Sequence, residues 1–262
     1  MLARVKAVLW LHTLRLWRYK WSFLNMILSY VVWMLLLMLG ILLFVPHELL
    51  GETVKAAFWT ILAWNIISQF SSLIGGWMRF FISIGMVEEH ILRGMSPFKV
   101  IVGRVIPSFS MIVMSQLFIA VLLNGMFKID VLVVNDPPLL ALSFMMLMVE
   151  SLSYGIVIAA ISMRTSIPHA MLEILNFAIV GLLMIPANML PSGLNILYLT
   201  IPYIAPAHLM KIATLRGMNM LYLEALTIAL IESSAFSITA MCSIIKSEKW
   251  IRKNGVKAIG FW

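Results

Sequence analysis

The apolar residues of this chain come in blocks long enough to cross a lipid bilayer, and nothing else in the sequence constrains the fold as strongly. A transmembrane helix needs about 20 predominantly apolar residues at 1.5 Å each. Of the 262 residues, 62% are hydrophobic and only 11% are charged. A soluble domain carries about 25% charged residues, so this chain cannot coat a water-facing surface of matching size. An all-α integral membrane protein is expected, because lipid leaves each backbone polar group to be satisfied inside the protein.

The apolar blocks predict six transmembrane helices, at about 23–45, 57–86, 105–127, 139–163, 170–189 and 223–245. The second is longer than a bilayer needs. It contains Gly75-Gly76, a kink site, and Arg79, which is expected near the cytoplasmic end, where its head can snorkel to water. Residues 1–21 read as an N-terminal interfacial helix. Arg4, Arg15 and Arg18 share one face, Leu2, Val5, Leu9 and Leu16 lie opposite, and Trp10, Trp17 and Trp21 suit the headgroup level.

Residues 190–222 are apolar but cut by Pro191, Pro202 and Pro206. Charge decides how to read them. With an even number of spans, the basic N-terminal segment, Arg79, the segment 87–104, Arg164 and the basic tail 246–262 share one side, gathering 15 of the 19 Lys and Arg residues. A seventh span would put the tail outside, against the positive-inside rule. Residues 190–222 are therefore expected as two short helices that enter the outer leaflet and return, a re-entrant outer hairpin between spans 5 and 6. The same rule explains the net charge of +8 without nucleic acid as a partner. Membrane lipid is the partner this composition implies.

The most polar internal stretch is the cytoplasmic segment between spans 2 and 3. It reads Val87-Glu88-Glu89-His90-Ile91-Leu92-Arg93-Gly94-Met95-Ser96-Pro97-Phe98-Lys99. Glu88 and Glu89 complement the positive end of a helix dipole. Gly94 can close one helix, and Ser96-Pro97 can open the next. A short charged helix results, projecting Ile91, Leu92, Met95 and Phe98 as apolar knobs.

At this point the chain resembles the ABC-2-type permeases, the membrane domains of type-2 ABC exporters. The resemblance rests on the acidic pair Glu88-Glu89, the apolar pair Ile91-Leu92 and Ser96-Pro97 in the segment between spans 2 and 3. It rests also on Pro206 followed downstream by Arg216 before the last span. The common Glu-Gly-Thr run of that family is absent, with Glu89-His90 in its place. The resemblance implies a single domain over 1–262 with six spans, a coupling helix and a re-entrant hairpin. It implies a second permease subunit, identical or homologous, and separate ABC ATPase subunits that dock on the coupling helix and bind the ATP and Mg. Glu88, Glu89, Ile91, Leu92, Arg93, Met95, Ser96, Pro97 and Phe98 would form that coupling site. A translocation pathway lined from spans 2 and 5 would include Asn65, Gln69 and Asn176, with Glu150 and Glu232 as further polar members. The implied place is the plasma membrane, with both termini cytoplasmic.

No ATPase is expected within the chain. A phosphate-binding loop needs Gly-Lys so that backbone amides and the lysine hold phosphate, and no Gly-Lys dipeptide occurs. No catalytic residue, cofactor or metal site is expected either. The single cysteine, Cys242, excludes an internal disulfide and a cysteine-based metal site. The five histidines form no HExxH pattern. The start is not read as a signal peptide, because His12, Arg15, Arg18 and Lys20 interrupt it.

Three other readings compete. Glu88-Glu89-x-x-x-Arg93 matches the first motif of CAAX-type intramembrane proteases. Those also require Phe-x-x-x-His and His-x-x-x-Asn/Asp to activate water, and no histidine here sits in either pattern. An ion-coupled transporter or channel would use intramembrane carboxyls such as Glu150 and Glu232, with Glu173 near the start of span 5. The alternative for each is a structural carboxyl held by nearby hydroxyls. A structural scaffold is the third, though irregular backbone at membrane depth is costly for a scaffold.

Overall fold

The computed structural model describes residues 6–7, 10–11, 13–14, 17–43, 45–46, 49–103, 105–165, 169–186, 190–191, 193–215 and 221–255. Ten helices are bounded among them. They are α1 Lys20–Leu42, α2 Leu50–Ser83, α3 Met86–Leu92, α4 Pro97–Val102, α5 Val105–Phe127, α6 Pro137–Ser162, α7 His169–Met184, α8 Leu194–Leu199, α9 Ile204–Thr214 and α10 Tyr222–Asn254. No strand occurs among the described residues, and the chain is an all-α bundle.

The expectation of six spans is corrected. Among the described residues, four helices are long and apolar enough to cross a membrane: α1 as Lys20–Gly40, α2, α6 and α10. They make this a helical protein of multi-pass membrane character. Where the third and fifth spans were expected, the stretches that count as apolar among the described residues are shorter, Ile112–Phe127 within α5 and Leu172–Met184 within α7. The 16 residues of α7 reach only about 24 Å at 1.5 Å each, against a hydrocarbon core of about 30 Å. Pro186 explains one shortfall. A proline disfavours helical backbone in the residue before it, and α7 stops at Met184.

α2 and α6 form the centre. Phe58, Ile61, Ile67, Phe70, Ile74, Met78 and Phe81 recur along α2 at three- to six-residue steps and are all buried. The two helices approach through glycines. A Cβ on Gly155 would stand 2.9 Å from the Phe70 carbonyl oxygen and 3.1 Å from Ile74 Cβ, and one on Gly75 would stand 2.7 Å from Ile158 Cγ2. Each helix thus offers a glycine to the other's isoleucine. Small residues allow this proximity in lipid, where association relies on van der Waals packing rather than on escape from water. The Gly75-Gly76 pair lies within one continuous helical segment, and Gly76 has nothing within 4 Å of its Cβ position.

α9 and α10 pack on α6, and α9 also reaches α2 and α7. α1 packs on α5, joined by the Gln116 amide donating to Met34 Sδ at 3.3 Å, and both lean on α2. The start of α6 follows its sequence closely. Asp136 caps it by accepting from Leu139 N at 3.0 Å, and Pro137 and Pro138 fill the first turn, where a missing N–H does no harm.

At one end of the bundle, loop 128–136 is tied to the end of α9. Asn135 N and Asp136 N both donate to the Ala213 carbonyl at 3.0 Å, Asn135 Nδ2 donates to the Thr214 carbonyl at 3.1 Å, and Trp59 Nε1 donates to the Val131 carbonyl at 3.1 Å. At the opposite end gather α3, α4, the end of α6 and the last turns of α10.

The register proposed for 1–21 rests on Leu2, Arg4, Val5, Leu9, Arg15 and Leu16, which lie outside the described residues, as do Arg216 and Lys257. Lys20 places its ammonium 5.5 Å from the Trp17 ring centroid and 5.9 Å from that of Trp21.

Candidate functional site

Three constellations carry unusual chemistry: the α3–α4 segment, a buried carboxylate knot on α6, and a cavity between α1, α2, α6 and α7.

The α3–α4 segment folds as its punctuation requires. Gly85 and Gly94 take left-handed backbone, at φ 71° and 68°. Met95 N donates to the His90 carbonyl at 2.8 Å and Gly94 N to the Ile91 carbonyl at 3.0 Å. These two bonds close α3 in a Schellman motif, which requires the positive φ that glycine adopts freely. Ser96, extended at ψ 121°, precedes Pro97 at the first position of α4. Its hydroxyl reaches away from its own helix to the Glu248 carboxylate on α10. Val87 and His90 face inward, the His90 ring lying 5.5 Å from that of Phe81 on α2.

The expected knobs therefore separate. Leu92 is 87% exposed and Met95 is exposed, together with Glu88, Glu89 and Arg93, whereas Ile91 and Ser96 are half-buried and Pro97 and Phe98 belong to the core. Arg93 pairs with Glu89 one turn earlier. Nearby, the Arg164 guanidinium lies 5.8 Å from the Trp250 ring centroid, and Ser247 Oγ donates to the Ala160 carbonyl at 3.4 Å. The end of α6, the end of α10 and α4 thus form one braced platform.

Glu150, midway along α6, is fully buried. Its Oε2 accepts from Tyr203 N at 3.1 Å and its Oε1 from Ser233 Oγ at 3.0 Å. Tyr203 is the cap residue of α9, at φ 73°. Its ring stacks on Phe236 at 6.1 Å and meets Tyr154 edge-on at 6.0 Å. One carboxyl thus pins the start of α9 to both α6 and α10. Glu232 precedes Ser233 on α10, beside the Glu150–Ser233 hydrogen bond. The Tyr203 hydroxyl and Glu232 Oε2 are buried without hydrogen-bond partners among the described residues. The far side of α9 is held by Lys211, whose ammonium donates to the Leu183 carbonyl on α7. Tyr198 OH on α8 donates toward the Leu182 and Ile185 carbonyls, at 2.6 and 3.0 Å.

The cavity encloses about 490 Å³, within the range of small-molecule sites. Trp33 and Met34 wall it from α1, Tyr154 and Ile158 from α6, and Asn176 and Phe177 from α7, while α2 lays Trp64, Ser68, Ser71, Gly76 and Arg79 along its length. Trp64 Nε1 donates to the Asn176 carbonyl at 2.9 Å, and its ring tilts against Phe177 at 6.5 Å. Of the polar residues expected in a pathway, Asn176 lines this cavity. Asn65 is buried in the core, its Oδ1 without a partner among the described residues, and Gln69, half-buried, does not line the cavity. Glu150 and Glu232 belong to the knot and not to the cavity.

Arg79 is the member whose part in the cavity sequence reasoning missed, though it sits half-buried near the end of α2 as expected. It lies at one end of the cavity with Nε and Nη2 buried and without hydrogen-bond partners among the described residues. Its position four residues before the end of α2 suited snorkelling equally well, and sequence holds no signal to separate the two. Among the described residues no group of three metal-ligating side chains occurs. No family model, curated protein or solved structure matches this chain.

Proposed function

We propose that this chain is the membrane subunit of an ABC exporter of the ABC-2 type, working as a pair and driven by separate ATPase chains. The observation that carries the reading is the α3–α4 segment. It is rigidly mounted through Phe98, the His90–Phe81 contact and the Ser96–Glu248 hydrogen bond, yet it presents Glu88, Glu89, Leu92 and Met95 outward. A surface that receives force from another protein must combine these properties. A floppy loop would absorb the stroke, and a fully buried helix could not be touched. The anchor on α10 matters further, because α10 packs on both α6 and α9, so a push on α4 acts on the centre of the bundle.

Charge orients the molecule. Arg93, Lys99 and Arg164 gather at the α3–α4 end with the Lys246, Lys249, Arg252 and Lys253 turns of α10. The positive-inside rule favours a cytoplasmic α3–α4 end, and the reading sets the chain in the plasma membrane with α8–α9 toward the outer side. Co-expression with an ATPase encoded beside this chain tests the reading. The expected result is a stable complex in which Leu92→Asp with Met95→Asp abolishes ATPase capture while the chain still folds. Capture unaffected by that pair, or ATP hydrolysis by the verified chain alone, refutes it. An ion-coupled transporter has one supporting observation, the Glu150–Glu232 pair. Both Glu150 oxygens, however, are occupied by bonds that hold α9 and α10, which is structural work.

A further inference from the structure

We infer that the cavity between α1, α2, α6 and α7 binds a single-chain amphiphile with an anionic head, a phosphate or carboxylate, whose head group is taken by Arg79. The inference deepens the permease reading, on which it rests only for treating this ligand as cargo.

Two donors of Arg79 are unsatisfied among the described residues, at the end of the cavity. A guanidinium keeps its proton at any relevant pH and accepts nothing, so each buried N–H needs an acceptor from outside itself. Arg79 has two nitrogens buried and without partners among the described residues. A buried donor left unmade costs free energy, more so when charged. Among the described cavity residues no hydrogen bond relieves it. A head group that offers two oxygens side by side suits this geometry, because phosphate and carboxylate both accept from the guanidinium fork in pairs.

The rest of the cavity says what the head group is attached to. From Trp64 to Arg79 is 15 residues of α2, about 22 Å of helix, so the site is elongated and charged at one end. Away from Arg79 its walls are mostly apolar and aromatic, with Trp33, Met34, Trp64, Ile158 and Phe177. Trp33 and Phe177 line the cavity yet are 65% and 62% exposed, so it opens on the side of the bundle at α1 and α7. A free anion would satisfy Arg79 but leave that channel empty. A neutral lipid would fill the channel but leave Arg79 unpaired. Glu173 also lines the cavity and is engaged in interactions of its own. It makes the cationic amphiphile the sharpest competing ligand.

The test uses the full chain, purified in a neutral maltoside detergent and without any ATPase. It is titrated separately with dodecyl phosphate, inorganic phosphate and dodecyltrimethylammonium, and bound molecules are counted by native mass spectrometry. One dodecyl phosphate per chain is expected, at least tenfold tighter than either other probe. Arg79→Gln should weaken it tenfold or more and leave the unliganded protein at least as heat-stable, since two buried donors without partners have been removed. Ser68→Trp, which fills the channel and keeps Arg79, should block binding independently. Equal affinity for inorganic phosphate would show a plain anion site, and equal affinity for the ammonium would show that Glu173 selects the ligand. Either result, or binding unchanged in both variants, overturns the inference. Because no ATPase is present, failure here leaves the permease reading standing, and failure to recruit an ATPase leaves this binding site standing.

Discussion

Replacing Gly155 by alanine probes the contact on which the bundle is centred. The added Cβ would lie 2.9 Å from the Phe70 carbonyl oxygen and 3.1 and 3.2 Å from Ile74 Cβ and Cδ1. The oxygen belongs to the α2 backbone, and Ile74 is fully buried, so neither can yield without moving a helix. Overpacking of this kind costs about 1–3 kcal/mol, while alanine returns up to about 1 kcal/mol of helix propensity over glycine. The net expectation is a loss of about 1–2 kcal/mol. Gly76→Ala is the matched control, with nothing within 4 Å. It should gain up to about 1 kcal/mol from propensity alone. Reversible unfolding in mixed micelles, followed by tryptophan fluorescence, measures both. A second comparison tests the mechanism. At Gly75 the clash is with the Ile158 side chain, so Ile158→Ala should relieve Gly75→Ala in a double-mutant cycle, with coupling of about 1 kcal/mol. No truncation on α2 should fully relieve Gly155→Ala, because backbone is in the way. Equal stability of Gly155→Ala and Gly76→Ala would refute the close α2–α6 approach.

Two further outcomes follow from the polar contacts. Glu150→Gln keeps the shape but offers one acceptor oxygen to two donors, Tyr203 N and Ser233 Oγ. It should cost about 1–3 kcal/mol and speed amide hydrogen exchange in α9 more than in α1; uniform exchange would show that Glu150 does not hold α9. Ser96→Ala and Glu248→Gln should each loosen α4, and their double-mutant cycle should show coupling of about 1 kcal/mol. Additive effects would mean that the platform is braced by packing alone.

Some of this architecture was legible in the chain itself. Apolar blocks with few charges dictate an all-α bundle with membrane-length helices, since the constraint is on solvent and needs no partner. Local punctuation was legible too: Gly94 closes α3 and Pro97 opens α4, because caps and turns act within a few residues. Other features depended on what stands opposite. Hydropathy counted six blocks, yet Pro186 shortens α7, and the described apolar helices of membrane length are four. Phe98 reads as a knob in sequence and is core in the fold, because α4 turns that face inward. Glu150 was a lone carboxyl until the fold brought Tyr203 and Ser233 to it, from 53 and 83 residues away. Arg79 is the clearest case. Sequence shows a cation near the end of an apolar block, whereas only the placement of α1, α6 and α7 around α2 decides whether its donors reach water or are enclosed. Helix existence follows from short-range chemistry, but the surroundings of a side chain are set by elements distant in sequence.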